Sequence, residues 1–312
     1  MDVEDLIINR LRLALERLNL TPSYRDMLFS VGKKYLQAQL THYKTCEPPV
    51  YLPLLCCEAN GADPQAAVGV TSAWFLLQAA AHLLDKVEDH ELDAAGISAN
   101  EEGVYTNLST GMIFVAEWIL NHLELDALDT GTAWDVQRAF QETVLSVCSG
   151  QHLDLSILSP DLSTCWKIAE AKSGSAFALA CYVGTRASTN QTDRLHHFED
   201  FGRYLGTVVQ ISDDLKDLED ISLSDGKLNS PLANAYLSHV GGYSSNLATQ
   251  HLADDSTRSS IQQSLVLYLR LEAMKYAEMA RNELENIPLS QEPLDQLLST
   301  LSHLSCLGAF AN

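Results

Sequence analysis

The stretch Phe201–Asp220, FGRYLGTVVQISDDLKDLED, places carboxylates within an apolar helical pattern. Asp213 and Asp217 are four residues apart, so on a helix they share one face, and Gln210 lies one turn before Asp213. Carboxylates stacked on a buried helix repel each other and are costly to desolvate unless cations accompany them. Oxygen ligands at this spacing suit Mg²⁺ better than zinc or copper. The stretch predicts a magnesium-binding helix; the alternative, a solvated acidic face, is disfavoured by its apolar residues.

A second acidic cluster lies earlier in the chain, where the apolar helical pattern of residues 64–92 ends in Asp85-Lys86-Val87-Glu88-Asp89. Asp85 and Asp89 are again one helical turn apart on one face. Two such pairs, facing each other across a helix bundle, would hold several Mg²⁺ ions. Such a cage would bind a diphosphate, which the carboxylates alone would repel.

The composition limits the classes of partner. The chain has 312 residues, of which 46% are hydrophobic and 20% charged, as in an ordinary globular protein. A formal net charge of −21 disfavours nucleic acid as a partner, because phosphate binding needs clustered Lys and Arg. Seven cysteines without a CxxC pattern indicate core residues in a reducing compartment.

We expect a cytoplasmic protein without stable membrane insertion. The N-terminus, MDVEDLIINR, is acidic and begins an amphipathic helix, unlike a secretory signal. The longest apolar run, Ala73–Leu84, is interrupted by Gln78 and His82 and is too short to span a bilayer.

Helical periodicity extends over almost the whole chain, and no alternating strand pattern is evident. We predict an all-α protein, a single domain over residues 1–312 with about ten or more helices around a central cavity. The four tryptophans favour core packing, with shielding of a carbocation as the alternative. The Ser-, Gly- and Asn-rich segment 221–256 is long enough to be a functional lid. Helices are expected near residues 3–19, 22–43, 64–92, 104–124, 132–156, 163–187, 193–220, 257–287 and 292–307, with a shorter helix near 231–239. Residues 46–53 are expected to be extended or turning, followed by a short helix that ends at Ala59 and a turn at Asn60-Gly61. The helix at 64–92 is apolar nearly all round through Ala80 and is expected to be central.

From about residue 25 to 307, the chain resembles the trans-isoprenyl diphosphate synthases, the polyprenyl synthetase family of the class I isoprenoid synthase fold. GTVVQISDDLKD, from Gly206 to Asp217, resembles the second aspartate-rich motif of that family, and residues 85–89 occupy the position of the first. Gly150-Gln151-His152-Leu153-Asp154 matches its GQxxD motif, and Lys172-Ser173-Gly174 matches its KTG motif.

The resemblance implies a role for each motif residue. Up to three Mg²⁺ ions would be bound, two by Asp85 and Asp89, a third by Asp213, with Asp217 assisting through water. Lys172 would neutralise the allylic diphosphate. Other substrate-binding candidates are Lys86, Gln151, Gln210 and Lys227, although Gln151 is equally well explained as a satisfied buried amide. The resemblance also implies a homodimer, with a hetero-oligomer containing a synthase as an alternative.

Three departures from the family pattern bear on function. Lys86 stands where the first motif has its second aspartate. The Arg-Arg-Gly expected after that motif is absent, because no arginine occurs between Arg25 and Arg138. The N-terminal GGKRxRP, which holds isopentenyl diphosphate in the family, has also lost its arginines. Each lost bidentate contact costs about 1.5–3 kcal/mol, so an isopentenyl diphosphate site is not expected.

These observations predict a Mg²⁺-dependent transferase of isoprenoid metabolism that ionises an allylic prenyl diphosphate. The prenyl group would pass to an acceptor other than isopentenyl diphosphate. Two alternatives are a class I terpene cyclase on the same scaffold, which needs no second diphosphate site, and a non-catalytic subunit of a prenyl diphosphate synthase.

Overall fold

The computed structural model describes residues 3–42, 50–88, 101–157, 160–219 and 255–306, together with 232, 235, 236, 238 and 239. In these ranges the protein is all-α and contains no β-strand, so the predicted fold class is confirmed. The α-helices are α1 (Val3–Arg17), α2 (Pro22–His42), α3 (Leu52–Ala59), α4 (Val68–Glu88), α5 (Glu102–Leu120), α6 (Thr130–Ser156), α7 (Leu162–Ala169), α8 (Ser175–Ser188), α9 (Thr192–Glu219), α10 (Asp255–Glu285) and α11 (Gln291–Cys306).

The fold divides into two compact units. Two of the boundaries fall inside α6 and α8, and the others lie just before α9, just before α11 and in the first turn of α11. Unit 1 comprises residues 1–139, 183–191 and 290–293, and unit 2 comprises residues 140–182, 192–289 and 294–312. The expectation of a single domain stays a prediction. The sequence pattern gave no sign of the boundaries inside α6 and α8, because neither helix changes its apolar periodicity where one unit ends.

Helix α4 is the core of unit 1, as its nearly continuous apolar pattern predicted. It packs mainly against α5, and also against α1, α2 and α3. The helical segment Pro64–Glu88 is long and apolar enough to cross a membrane by length and composition. In the most apolar window of that segment, 72% of the residues are buried within the protein, which is typical of a core helix.

The turn after α3 follows the sequence prediction. Gly61 has a positive φ of 79°, a conformation that favours glycine, and its N–H donates to the Glu58 carbonyl. The N–H of Ser290 donates to the Ala59 carbonyl at 2.8 Å. This contact explains why residues 290–293 belong to unit 1.

The core of unit 2 lies between α7, α9 and α10. Leu215 and Leu218 of α9 pack with Leu265 and Leu269 of α10, and Cys165 of α7 closes the cluster. Burial raises the pKa of Cys165 to about 12, and the negative charges of nearby aspartates add to this effect. The thiol is therefore protonated at neutral pH. Cys56, Cys57, Cys165 and Cys181 are buried, as predicted for core cysteines, but Cys148 is exposed, so the prediction was wrong for that residue.

Two details differ from the sequence predictions. The helix expected over 163–187 is interrupted by a π-helical segment, Glu170–Gly174. Trp74 is buried as expected, but the side chain of Trp134 is 69% exposed, so core packing was the wrong prediction for that tryptophan. The proposed lid at 221–256 lies almost wholly outside the described residues.

A buried ion pair joins α1 to the segment that follows α5. Arg10 Nη2 donates to Asp126 Oδ2 at 2.8 Å and to the His122 carbonyl at 2.9 Å. Burial raises the pKa of Asp126 to about 6, although Arg10 and the Gly69 N–H both lower it. A Cβ at position 69 would overlap the Asp126 carboxylate, so only glycine fits in α4 beside this pair.

Replacing Arg10 by Met should destabilise the protein, and the loss should depend on pH. Removal of one partner of a buried pair costs about 3 kcal/mol. Without Arg10, the native pKa of Asp126 rises further, while in the unfolded chain it stays at about 3.9. Below its native pKa Asp126 is protonated and no longer a buried charge, so the stability difference from wild type should shrink as pH falls.

Urea unfolding at pH 8 and pH 5 measures this dependence. Arg17→Met, at an exposed position of the same helix, is the matched control and should unfold like the wild type at both pH values. An equal loss for Arg10→Met at pH 8 and pH 5 would contradict the assignment.

Candidate active site

The π-helical segment Glu170–Gly174 carries the residues that match the KTG motif. It separates α7 from α8 and widens one turn of the helix around Lys172 and Ser173. Single π-helical turns within α-helices occur frequently at functional sites. The sequence pattern did not reveal this break, because one extra residue per turn hardly changes an apolar periodicity.

Lys172 forms an ion pair with Asp154 of α6, the last residue of the GQxxD motif. Lys172 Nζ lies 2.7 Å from Asp154 Oδ2, and the side chains are only 22% and 30% exposed. Gly150 lies one turn before Asp154, and a Cβ there would come within 2.9 Å of Ala171 Cβ and 3.0 Å of Lys172 Cγ. The motif therefore supplies both a close approach and the partner of the lysine.

Helix α9 approaches the π-helical segment through two glycines. A Cβ at Gly206 would overlap the Ser173 carbonyl, and a Cβ at Gly202 would overlap the Phe177 carbonyl. Because these positions are glycines, the backbones of α9 and of residues 173–178 come into direct contact. This contact brings the side chain of Gln210 to Ser173.

Gln210 links Ser173 to the second aspartate-rich motif. Ser173 Oγ donates to Gln210 Oε1 at 2.9 Å, and Gln210 Nε2 donates to Asp214 Oδ2 at 3.4 Å. Asp214 is buried, with a relative exposure of 2%. The amide thus bridges a hydroxyl and a buried carboxylate, and the substrate-binding role of Gln210 stays a prediction.

Asp213, in contrast, faces solvent near the end of α9. Its side chain is 55% exposed, and Asp213 Oδ1 lies 3.0 Å from Lys216 Nζ. An exposed carboxylate oxygen at a helix end fits the oxygen ligands that Mg²⁺ takes, usually one or two carboxylates with substrate phosphates. In the described residues, no group of three or more His, Cys, Asp or Glu lies together as a metal site.

The other predicted site residues are described only in part. Asp85 and Lys86 lie half-buried in the last turn of α4, in unit 1, and Gln151 lies half-buried on α6, in unit 2. Asp217 belongs to α9, but its side chain is outside the described residues, as are Asp89 and Lys227. Their roles, and those of Lys172 and Asp213 toward ligands, stay predictions.

Asp154 and Ser173 were not predicted as site residues, although both lie in motifs that the sequence contains. Asp154 could have been found from the GQxxD motif itself, since the motif was recognised and Asp154 is its last residue. The bond from Ser173 to Gln210 depends on the π-helical turn and leaves no sequence signal.

Comparison with solved structures shows the fold. The chain is similar to a geranylgeranyl pyrophosphate synthetase from the archaeon Geoglobus acetivorans, with a TM-score of 0.76 and 18% identity over 97% of both chains. It is also similar to a polyprenyl synthetase from Streptomyces coelicolor A3(2), with a TM-score of 0.73 and 17% identity over 97% of both chains.

Two characterised proteins are related in sequence over part of their length. A short chain isoprenyl diphosphate synthase of Methanothermobacter thermautotrophicus is 26% identical over 183 residues, which are 56% of this chain and 55% of that protein. The tryptophan prenyltransferase ComQ of Bacillus subtilis subsp. natto is 26% identical over 190 residues, 60% of this chain and 56% of that protein. The chain thus spans about half the length of the curated relatives it matches.

The polyprenyl synthetase family model matches residues 54–238, more than half of the 312-residue chain. The matched range contains both aspartate-rich motifs, the Lys172–Asp154 pair and the bridge through Gln210. The chain belongs to the polyprenyl synthetase family.

Proposed function

We propose that the protein is a Mg²⁺-dependent prenyltransferase that ionises an allylic prenyl diphosphate and transfers the prenyl group to an acceptor other than isopentenyl diphosphate. The observation that carries this proposal is the fixed Lys172–Asp154 pair, next in sequence to the Ser173–Gln210–Asp214 chain. It occurs in a chain that has no arginine between Arg25 and Arg138.

Lys172 would bind the diphosphate of the allylic substrate. Asp154 fixes the ammonium group before substrate arrives, so little reorganisation is needed when the leaving group gains negative charge. An ammonium has three N–H donors, so contact with Asp154 is compatible with contact to a phosphate oxygen. Gln210 would fix the position of Asp214 relative to the π-helical segment, through its hydrogen bonds to Ser173 and Asp214.

Asp85, Asp89, Asp213 and Asp217 would hold Mg²⁺. When bound, the ions supply positive charge that stabilises the departing pyrophosphate. The carbon–oxygen bond of the allylic diphosphate breaks, pyrophosphate leaves with the electron pair, and an electron-rich carbon of the acceptor captures the allylic cation and then loses a proton.

The absence of the family's diphosphate-binding arginines indicates the nature of the acceptor. Arginine binds a diphosphate through two parallel N–H donors, and no other residue reproduces that geometry. Without those arginines, the sequence lacks the residues that would bind a second diphosphate in the family's manner. A relative described as a tryptophan prenyltransferase supports an acceptor without a diphosphate.

The loss of arginines fits two other functions as well. A class I terpene cyclase also needs one diphosphate only, and it would release a hydrocarbon or alcohol without an added acceptor. A non-catalytic subunit of a synthase would explain Lys86 within the first motif. We favour an enzyme over a subunit without activity because a scaffold protein has no need of a fixed lysine and an intact second aspartate-rich motif. We favour transfer over cyclisation because one relative is described as a tryptophan prenyltransferase.

The family resemblance supports a homodimer. Phe114 of α5 and Trp134 of α6, both in unit 1, are each 69% exposed, and large exposed apolar side chains are common at subunit interfaces. We also propose a cytoplasmic location, which the cysteine pattern of the sequence predicts.

Pyrophosphate release tests the proposed activity. With geranyl, farnesyl and geranylgeranyl diphosphates and Mg²⁺, we expect release from at least one substrate, and isopentenyl diphosphate should not increase it. Tryptophan or an indole-containing peptide added as acceptor should yield a prenylated product by mass spectrometry. A cyclic hydrocarbon formed without acceptor would favour the cyclase, and no release from any substrate would rule out both enzymes.

Asp213→Asn tests the proposed metal ligand in the same assay. It should reduce release about 100-fold because a metal ligand is lost, while thermal unfolding stays unchanged at this exposed position. The matched control is Asp26→Asn on α2, which removes an exposed carboxylate whose side chain is 78% exposed, and it should leave the rate unchanged.

Variants of Lys172 and Asp154 distinguish the charge of the lysine from its positioning by the aspartate. Lys172→Gln should reduce release about 100-fold, because the cation that meets the diphosphate is removed. Asp154→Asn keeps the ammonium group of Lys172 but removes the carboxylate that fixes its position, so we expect pyrophosphate release to fall about 10-fold. Lys34→Gln on the exposed face of α2 is the control. A larger effect from Asp154→Asn than from Lys172→Gln would contradict these roles.

Light scattering tests the oligomeric state. A mass near twice 34.3 kDa is expected for the purified protein. In Phe114→Glu and Trp134→Glu variants, a carboxylate would be buried at the interface and the mass should fall to that of the monomer. A wild-type protein that is monomeric at micromolar concentration would contradict the dimer.

A further inference from the structure

A cavity of about 820 Å³ opens within unit 2, between α7, α9 and α10. Neither Lys172, Gln210 nor Asp213 lines it, so it is separate from the candidate active site. Its volume is in the range of small-molecule sites, which are typically apolar with a few convergent polar groups. None of the functions proposed above uses it.

Three aromatic rings form the wall of this cavity. The ring centroids of Trp166 and Tyr276 are 5.8 Å apart, and those of Tyr276 and Tyr204 are 6.3 Å apart. The rings are tilted by 38° and 41°. Three adjacent rings at these spacings offer extended faces and edges to a planar ligand, and aromatic contacts stabilise binding beyond the effect of buried area.

Contacts outside the cavity hold two of these rings in place. The Nε1–H of Trp166 donates to the Tyr268 hydroxyl at 3.3 Å, and Tyr268 is stacked on Tyr236 with centroids 4.1 Å apart. Lys275 Nζ lies 5.0 Å from the centroid of Tyr276. Walls fixed in this way lose little side-chain entropy when a ligand binds, which favours affinity.

The polar lining of the cavity carries both signs of charge. Arg203 is oriented by Glu199, with Nη2 and Oε1 2.9 Å apart, and Lys167, which is exposed, also lines the cavity. Glu170, the first residue of the π-helical segment, supplies a carboxylate. Asp161 also lines the cavity, but it accepts a hydrogen bond from the Thr164 N–H at 2.7 Å and so caps α7.

The two tyrosines of the wall are neutral. Burial raises the pKa of Tyr204 and of Tyr276, so both phenols stay protonated at neutral pH.

We propose that this cavity is a second ligand site, which binds an aromatic carboxylate whose ring carries an N–H or O–H donor. The ring packs against Trp166 and Tyr276, the carboxylate meets Lys167 and Arg203, and Glu170 accepts the ring donor. Indole and phenol carboxylates have this chemistry. The site does not depend on the prenyl transfer proposed above.

Isothermal titration with four probes tests the site. Indole-3-acetate has the carboxylate, the ring N–H donor and the aromatic ring that the proposed site recognises. Indole-3-acetamide lacks the negative charge, 1-methylindole-3-acetate lacks the N–H donor, and cyclohexaneacetate lacks the aromatic ring. We expect indole-3-acetate to bind, and each of the other probes to bind at least about fivefold more weakly, equivalent to about 1 kcal/mol per lost contact. Absence of binding by indole-3-acetate at millimolar concentration would overturn the proposal.

Variants of the chain locate the binding. Lys167→Gln, at an exposed position that should not disturb folding, should weaken indole-3-acetate about fivefold and leave indole-3-acetamide unchanged. Trp166→Leu should weaken both probes, and Lys34→Gln should weaken neither. If Trp166→Leu does not fold, the Lys167→Gln comparison still decides. Equal affinity of wild type and Lys167→Gln for indole-3-acetate would overturn the proposal.

Discussion

The direct backbone contact between α9 and the π-helical segment determines the rest of the candidate active site. Gly202 and Gly206 allow α9 to touch residues 173–178, where any side chain would overlap a carbonyl group. Gln210 then reaches Ser173 on one side and the buried Asp214 on the other. Without this contact, the second aspartate-rich motif would be an acidic helix end with no fixed relation to Lys172.

The two neighbouring aspartates of that motif have different environments. Asp214 is buried and accepts a hydrogen bond from an amide, whereas Asp213 is largely exposed. A buried carboxylate must be satisfied within the protein, while an exposed one remains accessible to a metal ion. The structure therefore distinguishes a buried, hydrogen-bonded Asp214 from an exposed Asp213, the residue proposed as the metal ligand. Two adjacent identical letters in a sequence do not show this difference.

Much of the fold followed from the sequence, because apolar periodicity predicts long helices reliably. Helix α9 was expected at 193–220 and extends over Thr192–Glu219, and the central position of α4 followed from its apolar pattern. The π-helical turn, the Lys172–Asp154 pair and the exposure of Trp134 did not follow. Each of these features depends on how the helices pack against one another, which local periodicity in the sequence does not reveal. Asp154 came nearest to prediction, since its motif was recognised but its partner was not.

A crystal structure with Mg²⁺ and a non-hydrolysable prenyl thiodiphosphate would test the central claim most directly. The account predicts metal ions ligated by Asp213 and by Asp85, with Lys172 in contact with a phosphate oxygen and Asp154 still paired to it. A diphosphate bound away from Lys172, or metal ions that do not touch Asp213, would contradict the account.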